Sequence, residues 1–333
     1  MSYALDTQIA SAPEVFADVL ARTPPLPLDP ARPLIFSGIG TSLHAARVAA
    51  LWVTQLTGGA MRPSAIDAHD LALREPLVGS EQVVVISHRG YKRFPTAALE
   101  RARTHGAATI AVVGRDAPEQ PADHVLRTCG NESAGTFSVS YLASLAALGA
   151  MVAPLDATGA FAAALADVPR ALQETIAQPA PVAVAQRLVE CEPLLLVGFG
   201  VDHVTVDEAA LKIKEGAWLW AEGISTEFSL HGTPAVYRPG HGAIVVLPGE
   251  DDGGRTQSLL QLLATVGVQV ATCAATPDAD LRFAAVPVLM RPVLAVVAFQ
   301  RLTAELARLR GTDPDTLHGN RDRWREAMTA VTL

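Results

Sequence analysis

The sequence predicts an α/β fold made of two copies of one unit, each a parallel sheet flanked by helices on both faces. Three observations predict it. Half of the 333 residues are hydrophobic and only 18% are charged, a balance that fills large cores and does not describe a disordered chain. Short β-branched runs alternate with Ala- and Leu-rich stretches of helical length, the pattern of βαβ units around a sheet buried on both sides. The chain also repeats itself at a fixed offset of 160. Residues 33–40 fall on 193–200, Ala49-Ala50-Leu51 on Ala209-Ala210-Leu211, Val83–Ile86 on Ala243–Val246 and Thr109–Ala111 on Gln269–Ala271, with no insertion or deletion. That period is far longer than the roughly 20 to 50 residues of solenoid repeats. We expect one domain over residues 1–165 and a second over 166–333.

The elements follow in order. Ser11-Ala-Pro-Glu14 is a capping-box pattern, so a short helix is expected from there to about Arg22, broken by the prolines between Thr23 and Pro30. Strands are expected at Leu34–Phe36, Val83–Ile86 and Thr109–Val113, with their counterparts in the second copy. An amphipathic stretch from about Phe161 to Ile176, bounded by prolines, reads as a linking helix. Asp251-Asp252-Gly253-Gly254 reads as a solvent-exposed turn, and Trp218 and Trp220 as core or dimer-contact residues.

Composition also excludes function classes. With 26 Lys and Arg against 34 Asp and Glu, the formal charge is −8 and no basic stripe exists to neutralise phosphates, so no nucleic-acid partner is expected. The apolar runs are short and broken by Gly or Pro, and the N-terminus lacks the features of a secretory signal. No membrane insertion is expected, and the cytoplasm is the expected location. Cys129, Cys191 and Cys273 are too widely spaced for a thiolate metal site or a disulfide framework, and the histidines show no ligand spacing. No metal and no cofactor are expected.

Parallel sheets bind ligands at the carboxyl ends of their strands, so the loops there carry the candidates. Gly38-Ile39-Gly40-Thr41-Ser42 joins a strand to a helix, and its glycines let amides and hydroxyls approach an anion. Leu43 stands where a dinucleotide fingerprint needs a small residue, which weakens a nicotinamide reading. In the octet Glu208-Ala-Ala-Leu-Lys212-Ile-Lys214-Glu215, helical spacing puts Glu208, Lys212 and Glu215 on one face and Lys214 elsewhere. A solvated ion-pair stripe and an enclosed catalytic face both fit that spacing. The chain has only three lysines, Lys92, Lys212 and Lys214, and the octet's flanks are apolar, which favours the enclosed face. A carboxylate beside an ammonium in a closed pocket suits a general base that abstracts a proton next to a carbonyl, and Glu215 is the candidate.

With these residues in view, the chain resembles the SIS (sugar isomerase) domain family in its double-SIS form, as in the isomerase half of glucosamine-6-phosphate synthase. The resemblance rests on Gly38–Ser42, Val85–Gly90, Glu132–Tyr141, the octet 208–215, and Glu227–Gly232, whose His231 follows Glu215 by sixteen residues. It implies two tandem SIS domains of flavodoxin- or Rossmann-like three-layer form, and an aldose–ketose isomerase, or a deaminating or aminating relative, acting on a sugar phosphate or amino sugar phosphate. It implies Glu215 as the C1/C2 proton carrier and His231 as the ring-opening acid–base, with Glu208 and Lys212 setting their ionisation. Gly40, Thr41, Ser42, Ser87, His88, Arg89, Lys92, Glu132 and Ser138 are implied for substrate and phosphate. A His231 that enters the site of a neighbouring subunit implies a homodimer. The alternative for His231 is a buried ring satisfied by a carbonyl.

The departures matter. The family's hydroxyl-rich phosphate loop reads Ser87-His88-Arg89-Gly90-Tyr91-Lys92 here, with two cations in place of two neutral donors. Guanidinium is a strong phosphate ligand, so an anion site remains expected. The second copy's loops, Gly198–Asp202 and Leu247–Glu250, are degenerate, so one sugar site per chain is expected. The tail from Gly311 contains no lysine, so the family's tail-lysine imine is excluded, whereas enediol isomerisation through Glu215 is not. His318, Asn320 and Arg325 are expected to line a lid. With Ser2 at the second position and no glutaminase domain, no glutaminase activity is expected; free ammonia or deamination remains open. A non-catalytic sugar-phosphate sensor is the alternative.

Overall fold

The structure, a computed structural model, describes residues 2–317 and 322–331. In chain order it contains α1 (Ala4–Arg22), β1 (Leu34–Gly38), α2 (Thr41–Leu56), β2 (Ser64–Asp67), α3 (Ala68–Leu73), β3 (Gln82–Ser87), α4 (Arg93–Thr104), β4 (Ala108–Val113), β5 (His124–Arg127), α5 (Val139–Val152) and α6 (Ala160–Ile176). There follow α7 (Val182–Leu188), β6 (Leu194–Gly198), α8 (Val201–Ala217), β7 (Ala221–Ser225), α9 (Thr226–Leu230), β8 (Gly242–Val246), α10 (Arg255–Val266), β9 (Gln269–Ala274), β10 (Leu281–Arg282), α11 (Arg291–Arg310) and α12 (Asp322–Thr329). No helix among the described residues is long and apolar enough to cross a membrane.

Packing divides the chain into two compact units. The first gathers residues 11–132 and 139–169 with the described residues after 317; the second gathers 2–10, 133–138 and 170–317. In the first unit five parallel strands lie in the order β2-β1-β3-β4-β5. In the second, read from β7, the order is β7-β6-β8-β9-β10, the same arrangement one copy later. The strands β1, β3, β6 and β8 are buried along their whole length, which is why they read as unbroken apolar runs rather than alternating ones. In each sheet the chain leaves the first strand toward one edge and then returns to build the other. That reversal opens a crevice at the carboxyl ends of β1 and β3, and again at those of β6 and β8.

The two turns that enter these crevices share one conformation. Gly40 (φ 57°, ψ −125°) and Gly200 (φ 57°, ψ −124°) precede α2 and α8 in a region that L-residues avoid. Two residues earlier, a Cβ on Gly38 or Gly198 would lie about 2.5 to 2.7 Å from backbone atoms of Ser42 or Asp202, so only glycine lets each helix start so close to its strand.

One local expectation fails. The first helix starts at Ala4, not Ser11, and carries Pro13 inside it. Its cap is remote: the Ala4 and Leu5 amides donate to the two carboxylate oxygens of Asp315 at 2.7 and 3.0 Å. Trp220 is 64% exposed, which removes the core reading of it and leaves the dimer-contact one untested. The cysteines are all buried, and burial raises each thiol's pKa, that of Cys129 to about 12, which keeps them unreactive. Asp315→Ala removes both acceptors from the start of α1 and is expected to destabilise the protein by about 1 kcal/mol, as loss of a helix cap does. A urea titration followed by helical circular dichroism, with the midpoint unchanged, would refute that role for Asp315.

Candidate functional site

The octet falls on the last two turns of α8, as its spacing predicts. Glu208 is fully buried, Lys212 is 1% exposed, and Lys214 points to solvent. The Lys212 Nζ lies 2.5 Å from Glu215 Oε2 and 3.6 Å from Glu208 Oε1. An ammonium this deep is tolerated only with charge compensation, which the two carboxylates supply. Glu215 differs from the others: its side chain keeps 28% exposure, so it is the member of the row that a ligand can reach. The solvated-stripe reading of the octet is therefore set aside in favour of an enclosed charged row with one open end.

His231 is not a buried ring. It ends α9, its side chain is 71% exposed, and Nε2 lies 2.6 Å from Glu227 Oε1. Glu227 in turn receives Arg255, with Nε 2.7 Å from Oε2 and Nη2 3.1 Å from Oε1. The Glu227 carboxyl is held below its ordinary pKa, chiefly by the Arg255 hydrogen bond and then by His231.

In the first unit Gly40, Thr41 and Ser42 follow β1, Ser87 ends the adjacent β3 and His88 to Lys92 follow it, so these candidates share the carboxyl end of one sheet. Thr41 and Ser42 are half-buried, Ser87 is buried, Arg89 is exposed and Lys92 is half-buried. The turn is tied by Gly90 N donating to Ser87 O at 2.9 Å and Gly114 N donating to His88 O at 2.7 Å. His88 itself is buried. Its desolvation holds the imidazole below its ordinary pKa, Glu132 opposing and Arg89 adding to the effect, so the loop's cations at neutral pH are Arg89, Lys92 and Arg93. Lys92 is the N-cap of α4 and Arg93 opens it, with no acidic residue in the first turn; α2 also lacks one. A helix start is already positive, so cations placed there favour an anion from outside.

The equivalent crevice of the second unit is filled from within. Asp202, which the repeat aligns with Ser42, is 2% exposed and takes Arg291 Nε at 3.1 and 3.0 Å and Nη2 at 2.7 Å. The same Nη2 donates to Leu247 O at 2.6 Å, and Leu247 aligns with Ser87. Burial raises the Asp202 carboxyl's pKa against the pull of Arg291. At the start of α10, Asp252 accepts from the Gly254 and Thr256 amides at 3.0 and 2.7 Å. Both helix starts at this crevice thus carry the chain's own carboxylates, where the first unit has hydroxyls and cations.

The remaining candidates are dispersed. Glu132 accepts from the Val139 and Ser140 amides at 3.3 and 2.7 Å and so caps α5. Ser138 is buried in the second unit, where its carbonyl accepts Gln300 Nε2 at 3.3 Å. Arg325 lies on the exposed α12 and pairs with Asp322. His318 and Asn320 lie outside the described residues. Reading the sequence missed Arg255 and Arg291, for which no local pattern exists, and Glu227, which the four-residue spacing to His231 could have revealed.

Comparison with known proteins agrees with the family recognised from the motifs. Residues 28–154 match the family model described as SIS domain. The chain is 29% identical over 275 residues to the isomerizing glutamine--fructose-6-phosphate aminotransferase of Corynebacterium efficiens, covering 74% of this chain and 44% of that protein. It is 27% identical to that of Streptomyces coelicolor, covering 92% and 56%. The chain thus spans about half the length of these curated relatives. Among solved structures, the C-terminal domain of glucosamine-fructose-6-phosphate aminotransferase from Francisella tularensis superposes with a TM-score of 0.80 at 19% identity, covering 95% of this chain and 98% of that one. Tagatose-6-phosphate ketose/aldose isomerase from Escherichia coli gives 0.73 at 15% identity, covering 94% and 95%. The shared fold is two tandem SIS domains.

Asp202→Ala leaves Arg291 buried without its counter-ion and is expected to cost about 3 to 5 kcal/mol. Inorganic phosphate at millimolar concentration should restore part of that loss in the variant and do nothing comparable at this crevice in the parent. A variant melting midpoint equal to the parent's would refute the account of this crevice.

Proposed function

With residues 28–154 identified as a SIS domain, we propose that the chain is a phosphosugar-binding aldose–ketose isomerase, or a deaminating or aminating relative, acting on a hexose or hexosamine phosphate. The observation that carries this reading is Glu215, the accessible end of an otherwise buried Glu208–Lys212–Glu215 row. In the proposed chemistry Glu215 takes the proton from C2 of the open-chain sugar as the electron pair moves toward the carbonyl oxygen. An enediolate results, the hydroxyl proton passes from O2 to O1, and the same carboxyl returns the proton at C1. No imine is required, in keeping with a tail that has no lysine. Lys212 holds the carboxylate in place through its 2.5 Å contact, and Glu208 balances Lys212 from the buried side.

The phosphate is assigned to Thr41, Ser42, Ser87, Arg89 and Lys92. Support comes from the contrast between the crevices, since the first has no acidic residue in the opening turn of either helix. His231 is assigned to ring opening from a neighbouring copy, in a homodimer. Its 71% exposure supports this, as do Phe228 and Val236, 68% and 59% exposed, which give a second copy an apolar surface to cover. The relatives' names, an isomerizing aminotransferase and a ketose/aldose isomerase, fit the same substrate class.

A thermal-shift panel of fructose 6-phosphate, glucosamine 6-phosphate and pentose phosphates should raise the melting midpoint with at least one member, because a ligand that binds only the folded state stabilises it. Arg89→Ala with Lys92→Ala should abolish that shift, and a panel without any shift refutes the anion assignment. Glu215→Gln should keep the shift and lose deuterium uptake at C2 from D2O, by about 10² to 10⁴. A Glu215→Gln protein that exchanges as fast as the parent removes Glu215 as the base. A parent that binds the sugar and never exchanges is a sensor instead.

A further inference from the structure

An exposed histidine on the end of a five-residue helix has no reason to hold one orientation. His231 nevertheless sits in a chain of contacts that begins in another helix. The Asp252 carboxylate ties down the amides that open α10. Arg255, the first residue of α10, then grips both oxygens of Glu227 through Nε and Nη2. Glu227 places Oε1 2.6 Å from His231 Nε2. An isolated exposed pair four residues apart is weak and leaves a ring free to turn. A two-bond guanidinium clamp from a separate element fixes the carboxylate in plane and direction, and the carboxylate then fixes the ring.

The consequence is a choice of tautomer. A carboxylate accepts only, so in a neutral imidazole the proton is on Nε2 and the lone pair is on Nδ1. We infer that Glu227 and Arg255 are positioning residues that hold His231 as the Nε2–H tautomer, which makes Nδ1 the nitrogen that exchanges protons with a sugar. This rests on the ring-opening role proposed above for His231. In that step Nδ1 takes the proton of the anomeric hydroxyl, the O–H pair becomes the new carbonyl bond, the bond between C1 and the ring oxygen breaks, and its pair on the ring oxygen takes the proton back from Nδ1. The ring stays bonded to Glu227 throughout, so the charge that appears on it is met by a carboxylate already in place.

The tautomer can be read without any activity, by long-range nitrogen–proton correlation spectra of the full chain carrying nitrogen-15 histidine, with the His231 signal assigned from His231→Asn. Observed as the neutral imidazole, the parent should show the Nε2–H form, Glu227→Ala a mixture of the two tautomers, and Arg255→Met an intermediate pattern. Glu227 and His231 are exposed and Arg255 is half-buried, and circular dichroism checks that each variant folds. With the panel sugar that shifts the midpoint, Glu227→Ala should lower kcat about ten- to hundredfold at unchanged KM, a fraction of the 10² to 10⁴ that a positioned acid–base contributes. An Nδ1–H parent, or a His231 pattern that Glu227→Ala leaves unaltered, overturns the inference and leaves the isomerase reading standing. A His231→Asn protein with full turnover removes the ring-opening role, and the spectra still decide whether the clamp exists.

Discussion

Lys212 is the most demanding side chain in the protein. A charged amine 1% exposed inside a helical layer costs several kcal/mol unless opposite charge is brought to it, and α8 brings two carboxylates on its own face. The arrangement works because helical spacing delivers the partners without any help from the tertiary fold. It also sorts the two carboxylates. Glu208 faces inward and balances the charge, and Glu215, about two turns later, reaches the edge of the buried region. One helix thereby supplies both a fixed counter-ion and a carboxylate that reaches solvent.

The two sheets show how one scaffold yields two different crevices. Both repeat the same strand order and the same left-handed glycine before the first crevice helix, so the backbone amides are presented alike. The side chains at the helix starts then separate them. Ser42 puts a hydroxyl at the first helix start, whereas Asp202 puts a buried carboxyl at the second, and Arg291 pairs with it. Asymmetry in a duplicated protein thus needs no change of fold.

What could be read in advance follows from the distance over which each feature is encoded. The strands, the repeat, the glycine turns and the Glu208–Lys212–Glu215 face lie within windows of a few residues, and periodicity reveals them. The start of α1 does not: its acceptor, Asp315, is 311 positions away from Ala4, so the local capping box at Ser11 pointed to the wrong boundary. The Asp202–Arg291 pair spans 89 positions and the Arg255–Glu227 pair 28, and neither leaves a local trace. The exposure of Trp220 and His231 belongs to the same class, because burial depends on which elements cover a residue.

The bond from Asp315 to the first turn of α1 has a bearing on how the protein is made. A nascent chain emerges from the ribosome in order, so Ala4 and Leu5 leave the exit tunnel long before their acceptor exists. The segment 11–132 can assemble its own sheet during translation, but the unit that contains residues 4, 136, 216 and 315 can close only after residue 315 has been synthesised. Until then residues 4–10 of the opening helix lack both their cap and their own unit's core, which leaves that first stretch exposed for a chaperone to find.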